Sequence, residues 1–170
     1  MTGTARLEGD TVVVQVDITN DRTGHHVPTD SPLRHLILLV QTTDAQGQAL
    51  PQLDGPMVPE WGGVGDPTQG YYAGLPGKGF AKVLEELWTQ VSPTGAYWNP
   101  TRVLSDNRIA AFATDTSTYT FVAPKEKEIT IEATLLFRRA FIELMDQKDW
   151  DTPDMVMEQE SLILENRAER

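Results

Sequence analysis

The chain contains no cysteine, and its 14 Lys and Arg are outnumbered by 25 Asp and Glu. The first absence removes thiol nucleophiles, thiolate-bound zinc, iron–sulfur clusters and covalent haem attachment through C-x-x-C-H. It leaves the redox compartment open. The shortage of basic residues gives a formal net charge of −11. A field of that sign repels phosphate backbones and anionic lipid, which argues against nucleic acid and membrane surfaces as partners. Cationic partners, metal ions and neutral ligands remain open. No apolar run approaches the ~20 residues of a membrane helix. Met1-Thr2-Gly3-Thr4 has neither a basic nor an apolar leader segment, so no signal peptide is expected in this chain. G-x-S-x-G, G-x-G-x-x-G and EF-hand spacings are also missing.

What is present is strand patterning. A chain of 170 residues suits one domain, with room for an insertion. Val12, Val14, Val16 and Ile18 alternate with Gln15, Asp17 and Thr19, which predicts a half-buried strand. Gly9-Asp10 before it predicts a hairpin turn, with Thr4–Glu8 as the first arm. Leu33–Thr43 is apolar on both faces and should be central or covered. A short strand ending near Leu53, another over Ser117–Val122, a long one over Glu128–Arg138 and a last one over Met155–Leu164 complete the set. Lys125-Glu126-Lys127 reads as a solvated turn and Glu165–Arg170 as a polar tail. Phe141, Leu144, Met145 and Lys148 predict a short helix. Residues 54–100 are rich in Gly, Pro and aromatics and read as an insertion. Within it, Phe80, Val83, Leu84, Leu87, Trp88 and Val91 keep helical spacing, which predicts a helix ended by Pro93 and laid over one sheet. The pattern predicts an immunoglobulin-like antiparallel β-sandwich spanning 1–170, with a helix-containing insertion and a short C-terminal helix.

The densest polar cluster is Asp21-Arg22-Thr23-Gly24-His25-His26-Val27-Pro28-Thr29-Asp30. Imidazoles beside a carboxylate suit zinc, copper or haem iron, making His25, His26 and Asp30 the candidate metal ligands. Adjacent residues in an extended loop point apart, so an ordinary role in closing the turn around Pro28 competes with that reading. His35, inside a strand, reads as a packed, hydrogen-bonded side chain. Ser31 or Ser105 with a histidine lacks an oxyanion hole visible in the sequence. Glu85-Glu86, Asp149/Asp151 and Glu158/Glu160 read as solvated faces of an acidic chain. Asp106 should pair with an arginine at a sheet end, with Arg34 as a third member. The 21–30 loop and the 101–108 segment should meet at one end of the sandwich. Trp61, Tyr71, Tyr72, Tyr97 and Trp98 are either core packing or a sugar-stacking platform.

Taken in order, these pieces carry a resemblance. Thr23-Gly24-His25-His26-Val27-Pro28-Thr29, Leu33-Arg34, Thr101-Arg102-Val103-Leu104, Asp106-Asn107-Arg108-Ile109, Leu136-Phe137-Arg138-Arg139 and Trp150-Asp151-Thr152-Pro153-Asp154 stand in one chain. The set resembles the haem-free C-terminal β-sandwich domain of secreted bacterial multihaem c-type cytochromes, with its GHxxPTG-type motif. Asp30 stands where that motif ends in glycine. The resemblance implies a non-catalytic module, periplasmic or extracellular, that docks on, caps or shields a multihaem cytochrome of the same parent chain or a neighbouring subunit. It implies no covalent haem here, and His25, His26, Arg34, Arg102 and Arg108 as candidate contacts to a partner's haem, the arginines pairing with propionates. A carbohydrate- or surface-binding module using the insertion aromatics, and a His/Asp metal-binding module, are the alternatives.

Overall fold

The computed structural model describes residues 1–124 and 128–165; Lys125-Glu126-Lys127 and most of the C-terminal tail lie outside them. Ten strands form: β1 (Thr2–Glu8), β2 (Thr11–Thr19), β3 (His35–Asp44), β4 (Gln52–Asp54), β5 (Gly77–Phe80), β6 (Lys82–Glu86), β7 (Thr101–Asp106), β8 (Thr114–Val122), β9 (Glu128–Arg138) and β10 (Met155–Glu165). Among the described residues one α-helix, α1 (Ile142–Lys148), lies between β9 and β10. The strands build two four-stranded sheets, ordered β1-β2-β8-β4 and β10-β9-β3-β5, and a separate ribbon β6-β7. Every pairing among the named strands is antiparallel.

Period-2 alternation is what closes the sandwich. The even residues Val12, Val14, Val16 and Ile18 of β2 face Leu36, Leu38 and Val40 of β3, and all are buried. Tyr119 and Phe121 of β8 and Ile129, Ile131 and Leu135 of β9 fill the space between. Each such side chain contributes ~1.5–3 kcal/mol on leaving water, which makes a one-residue slip in any of these strands prohibitive. The second apolar face of β3 is covered too. Ile37 and Leu39, with Leu136 of β9, pack under Val58, Trp61, Tyr72 and Leu75 of the insertion.

The insertion therefore covers a sheet as expected, but not with a helix over 80–91. That stretch is strand to Glu86 and turn after it: β5 pairs with β3 and β6 with β7. Its apolar residues do not share a face. Phe80 and Val83 are buried, whereas Leu87, Trp88 and Val91 are exposed. The competing force is pairing with β7, which satisfies the backbone groups of Lys82–Glu86; of this stretch only Phe80 reaches the edge of β3. Gly77 and Gly79, just ahead of it, make that edge approachable. A Cβ on Gly79 would lie 2.1 Å from the Trp61 ring, so the indole seats directly on the strand. The insertion's only helical turns among the described residues are 3-10, at Glu60–Gly62 and Pro67–Gln69.

Candidate functional site

Asn20, the last residue before the polar loop, organises one end of the sandwich. It is buried, and its amide donates to the carbonyls of His25 (2.8 Å), Ile109 (3.2 Å) and Ala110 (3.2 Å). Its Oδ1 accepts from the Thr23 hydroxyl at 2.7 Å. Val27 and Ile109 exchange both backbone hydrogen bonds at 2.9 Å. The 21–30 loop thus meets Ile109 and Ala110, just beyond the 101–108 segment expected to meet it, of which Asp106 lies within electrostatic reach of His26. Asn20→Ala removes the donors of buried carbonyls and is expected to cost about 1–3 kcal/mol, read as a lower urea midpoint at unchanged m-value.

At the loop end His26 lies within electrostatic reach of Asp106, which Arg108 holds. His25 and His26 are exposed, with His25 Nδ1 3.0 Å from the His26 carbonyl. Asp30 does not join them; its carboxylate pairs with Arg34 at 3.0 Å. Arg34 is accordingly not a member of the Asp106 group, a correction explained by the short i,i+4 reach to Asp30. Arg108 holds Asp106 through two contacts, at 2.7 and 2.6 Å. That guanidinium keeps the Asp106 carboxyl below its usual range, with His26 adding a smaller contribution. Arg102 lies on the ribbon, paired with Glu85 at 2.7 Å. Among the described residues no group of three or more His, Asp or Glu is placed to hold a metal ion.

Two features lay outside the sequence-based site. The first is Glu86, expected on a solvated face beside Glu85 but buried. Its carboxylate takes the Thr89 hydroxyl and, at 3.0 Å, the Asn99 amide. It thereby pins the loop that joins β6 to β7. The second is Arg138, buried, which meets Asp154 in a bidentate pair at 2.7 and 2.6 Å. It also donates to the carbonyls of Gly62 (3.1 Å) and Gly70 (2.6 Å) and lies over the Tyr72 ring at 5.2 Å. Arg138 and Asp154 belong to the motif set, without an assigned role; an arginine at the end of the long strand, after the apolar Leu135-Leu136-Phe137, was the signal.

His35 is packed as expected. Its ring stacks on Phe141 with centroids 4.7 Å apart and meets Trp61 edge-on at 5.1 Å. Nδ1 lies 3.0 Å from the Leu33 carbonyl, and burial pushes its pKa down to about 4. Of the candidate sugar-stacking rings, Trp61 is committed to that core, whereas Tyr97 and Trp98 are exposed.

No family model and no curated protein sequence matches this chain. Its fold is similar to the crystal structure of a penta-heme cytochrome c552 from Thermochromatium tepidum, with a TM-score of 0.67 at 19% identity. The match covers 95% of this chain but 38% of that one, so this chain spans well under half the length of the structure it resembles. At that identity the likeness establishes a shared β-sandwich fold.

Proposed function

We propose that this chain is a non-catalytic β-sandwich module that docks on a multihaem c-type cytochrome outside the cytoplasmic membrane. The observation that carries the reading is the fold match over 95% of the chain to part of a polypeptide described as a penta-heme cytochrome. The absence of cysteine fits a division of labour in which the haem-attachment motifs reside on the partner. His25 and His26 face solvent at the loop end and are the residues that would meet a partner's haem. When bound nearby, haem supplies electron transfer; the chain's part is to orient and shield. The ion pairs Arg34–Asp30, Arg102–Glu85 and Arg108–Asp106 fit a framing role, because those guanidinia already have carboxylate partners.

The test is to mix the purified chain with the c-type haem polypeptide encoded in the same reading frame or beside it. Haem absorbance is expected to co-elute with the chain, and the haem potential to shift on binding. His25→Ala and His26→Ala are expected to reduce that shift. Separate elution and an unchanged potential would refute the docking role.

A further inference from the structure

The least explained surface is the loop between β6 and β7. Residues 87–101 contain no charged side chain, in a chain of net charge −11. They hold three strongly exposed rings: Tyr97 at 92%, Trp88 at 71% and Trp98 at 69%. Leu87, Val91, Val103 and Leu104 on the same ribbon are also exposed. Scattered apolar side chains need no explanation, but such a cluster on one arm does.

The loop is held rigid rather than left to collapse. Glu86 grips it through Thr89 and Asn99. Backbone bonds from Leu87 to Pro100 (3.0 Å) and from Thr94 to Leu84 (3.0 Å) tie both limbs to the ribbon. Gly95 lies so close to the Leu33 side chain that a Cβ there would sit 2.6 Å from it. That contact fastens the loop to the body just after the 21–30 loop. A buried carboxylate is costly unless fully used. Here its bonds fix a conformation that keeps the rings out of the core. Preorganised aromatic side chains lose little entropy on binding.

We propose that this loop is the surface by which the module seats on an uncharged, apolar face of the haem-carrying polypeptide, an assignment that rests on the docking reading above. Charge and area both favour a protein. Interface centres are depleted of charge and enriched in Trp and Tyr. Three rings exposed to this degree offer on the order of 400 Å². Leu87 and Val91 of the same loop add to that area, against the ~800 Å² per partner of a standard interface. The acidic body disfavours anionic lipid as the occupant.

The experiment measures affinity of the intact chain for that haem polypeptide by calorimetry and by co-elution of haem absorbance. Trp88→Ala/Trp98→Ala is expected to bind at least ~30-fold more weakly with an unchanged melting temperature. Val91→Glu, which keeps the rings and adds a charge, is expected to weaken binding about tenfold. Ile163→Ala, exposed on β10, should bind like wild type. Wild-type and double-variant binding of equal strength would overturn the surface and leave the docking reading standing. No binding by wild type would overturn both. Trp88/Trp98-dependent retention on neutral polysaccharide, on phosphatidylcholine vesicles or on a second copy would assign the loop a different occupant and overturn the proposal.

Discussion

Arg138→Leu is expected to lower the unfolding free energy by about 3–5 kcal/mol, a large share of what a domain of this size commands. The side chain is 2% exposed and serves four acceptors: both Asp154 oxygens and the carbonyls of Gly62 and Gly70. Leucine fills much of the volume but leaves the Asp154 carboxylate charged and nearly buried. The two carbonyls also lose their donor. The cost is therefore that of stranded partners, not of a lost attraction. Arg138→Leu/Asp154→Leu separates the two contributions. Removing both charges should be less damaging than the sum of the single changes, with a coupling of about 1–3 kcal/mol. Urea titrations followed by tryptophan fluorescence give all four corners of the cycle. A single-variant loss under about 1 kcal/mol would mean that water reaches the pair and that it does not lock the insertion to β9 and the β10 approach.

That pair also shows where the sequence stops being informative. Strands with one buried face announce themselves, because alternation is a local record of burial. The expected Glu128–Arg138 strand matches β9 residue for residue, and β2 and β10 are nearly as close. Apolar character on both faces of β3 correctly predicted cover on both. The helix expected over 80–91 failed because helical spacing among six apolar residues was a coincidence of neighbours with different fates. What decided it was pairing with β7, a strand further along the chain. The site divides the same way. The approach of the 21–30 loop to this end of the sandwich was nearly legible: the contact falls at Ile109 and Ala110, just past the expected 101–108 segment. The choice of partner for each charge was not. Asp154 is separated from Arg138 by a helix, and Glu86 is indistinguishable from Glu85 until the fold buries one and pairs the other with Arg102.

The second large effect is a loss of stability in mild acid, carried by His35. The Leu33 carbonyl can only accept, so Nδ1 bears the proton and Nε2 is left with a lone pair. Nε2 is buried without a hydrogen-bond partner. A second proton there would create a cation with no acceptor, stacked on Phe141 and facing the positive charge of Arg138. Burial is the dominant cause, and Arg138 adds to it; the Leu33 carbonyl and Asp154 pull the other way without prevailing. The folded-state pKa of about 4 lies below the ordinary histidine value of 6.5, so the unfolded chain binds the proton more readily. Stability from this group is complete above about pH 6.5, falls as the pH drops toward 4, and levels off below that. At about 1.4 kcal/mol per pKa unit, the displacement amounts to about 3 kcal/mol. His35→Phe keeps a stacked ring but cannot titrate. Subtracting its stability–pH curve from that of wild type isolates the histidine from the many carboxylates that titrate at lower pH. The difference should rise by about 3 kcal/mol between pH 4 and 6.5. A flat difference would mean that His35 accepts its proton within the folded protein, and that the contact of α1 and the insertion with β3 opens at little cost.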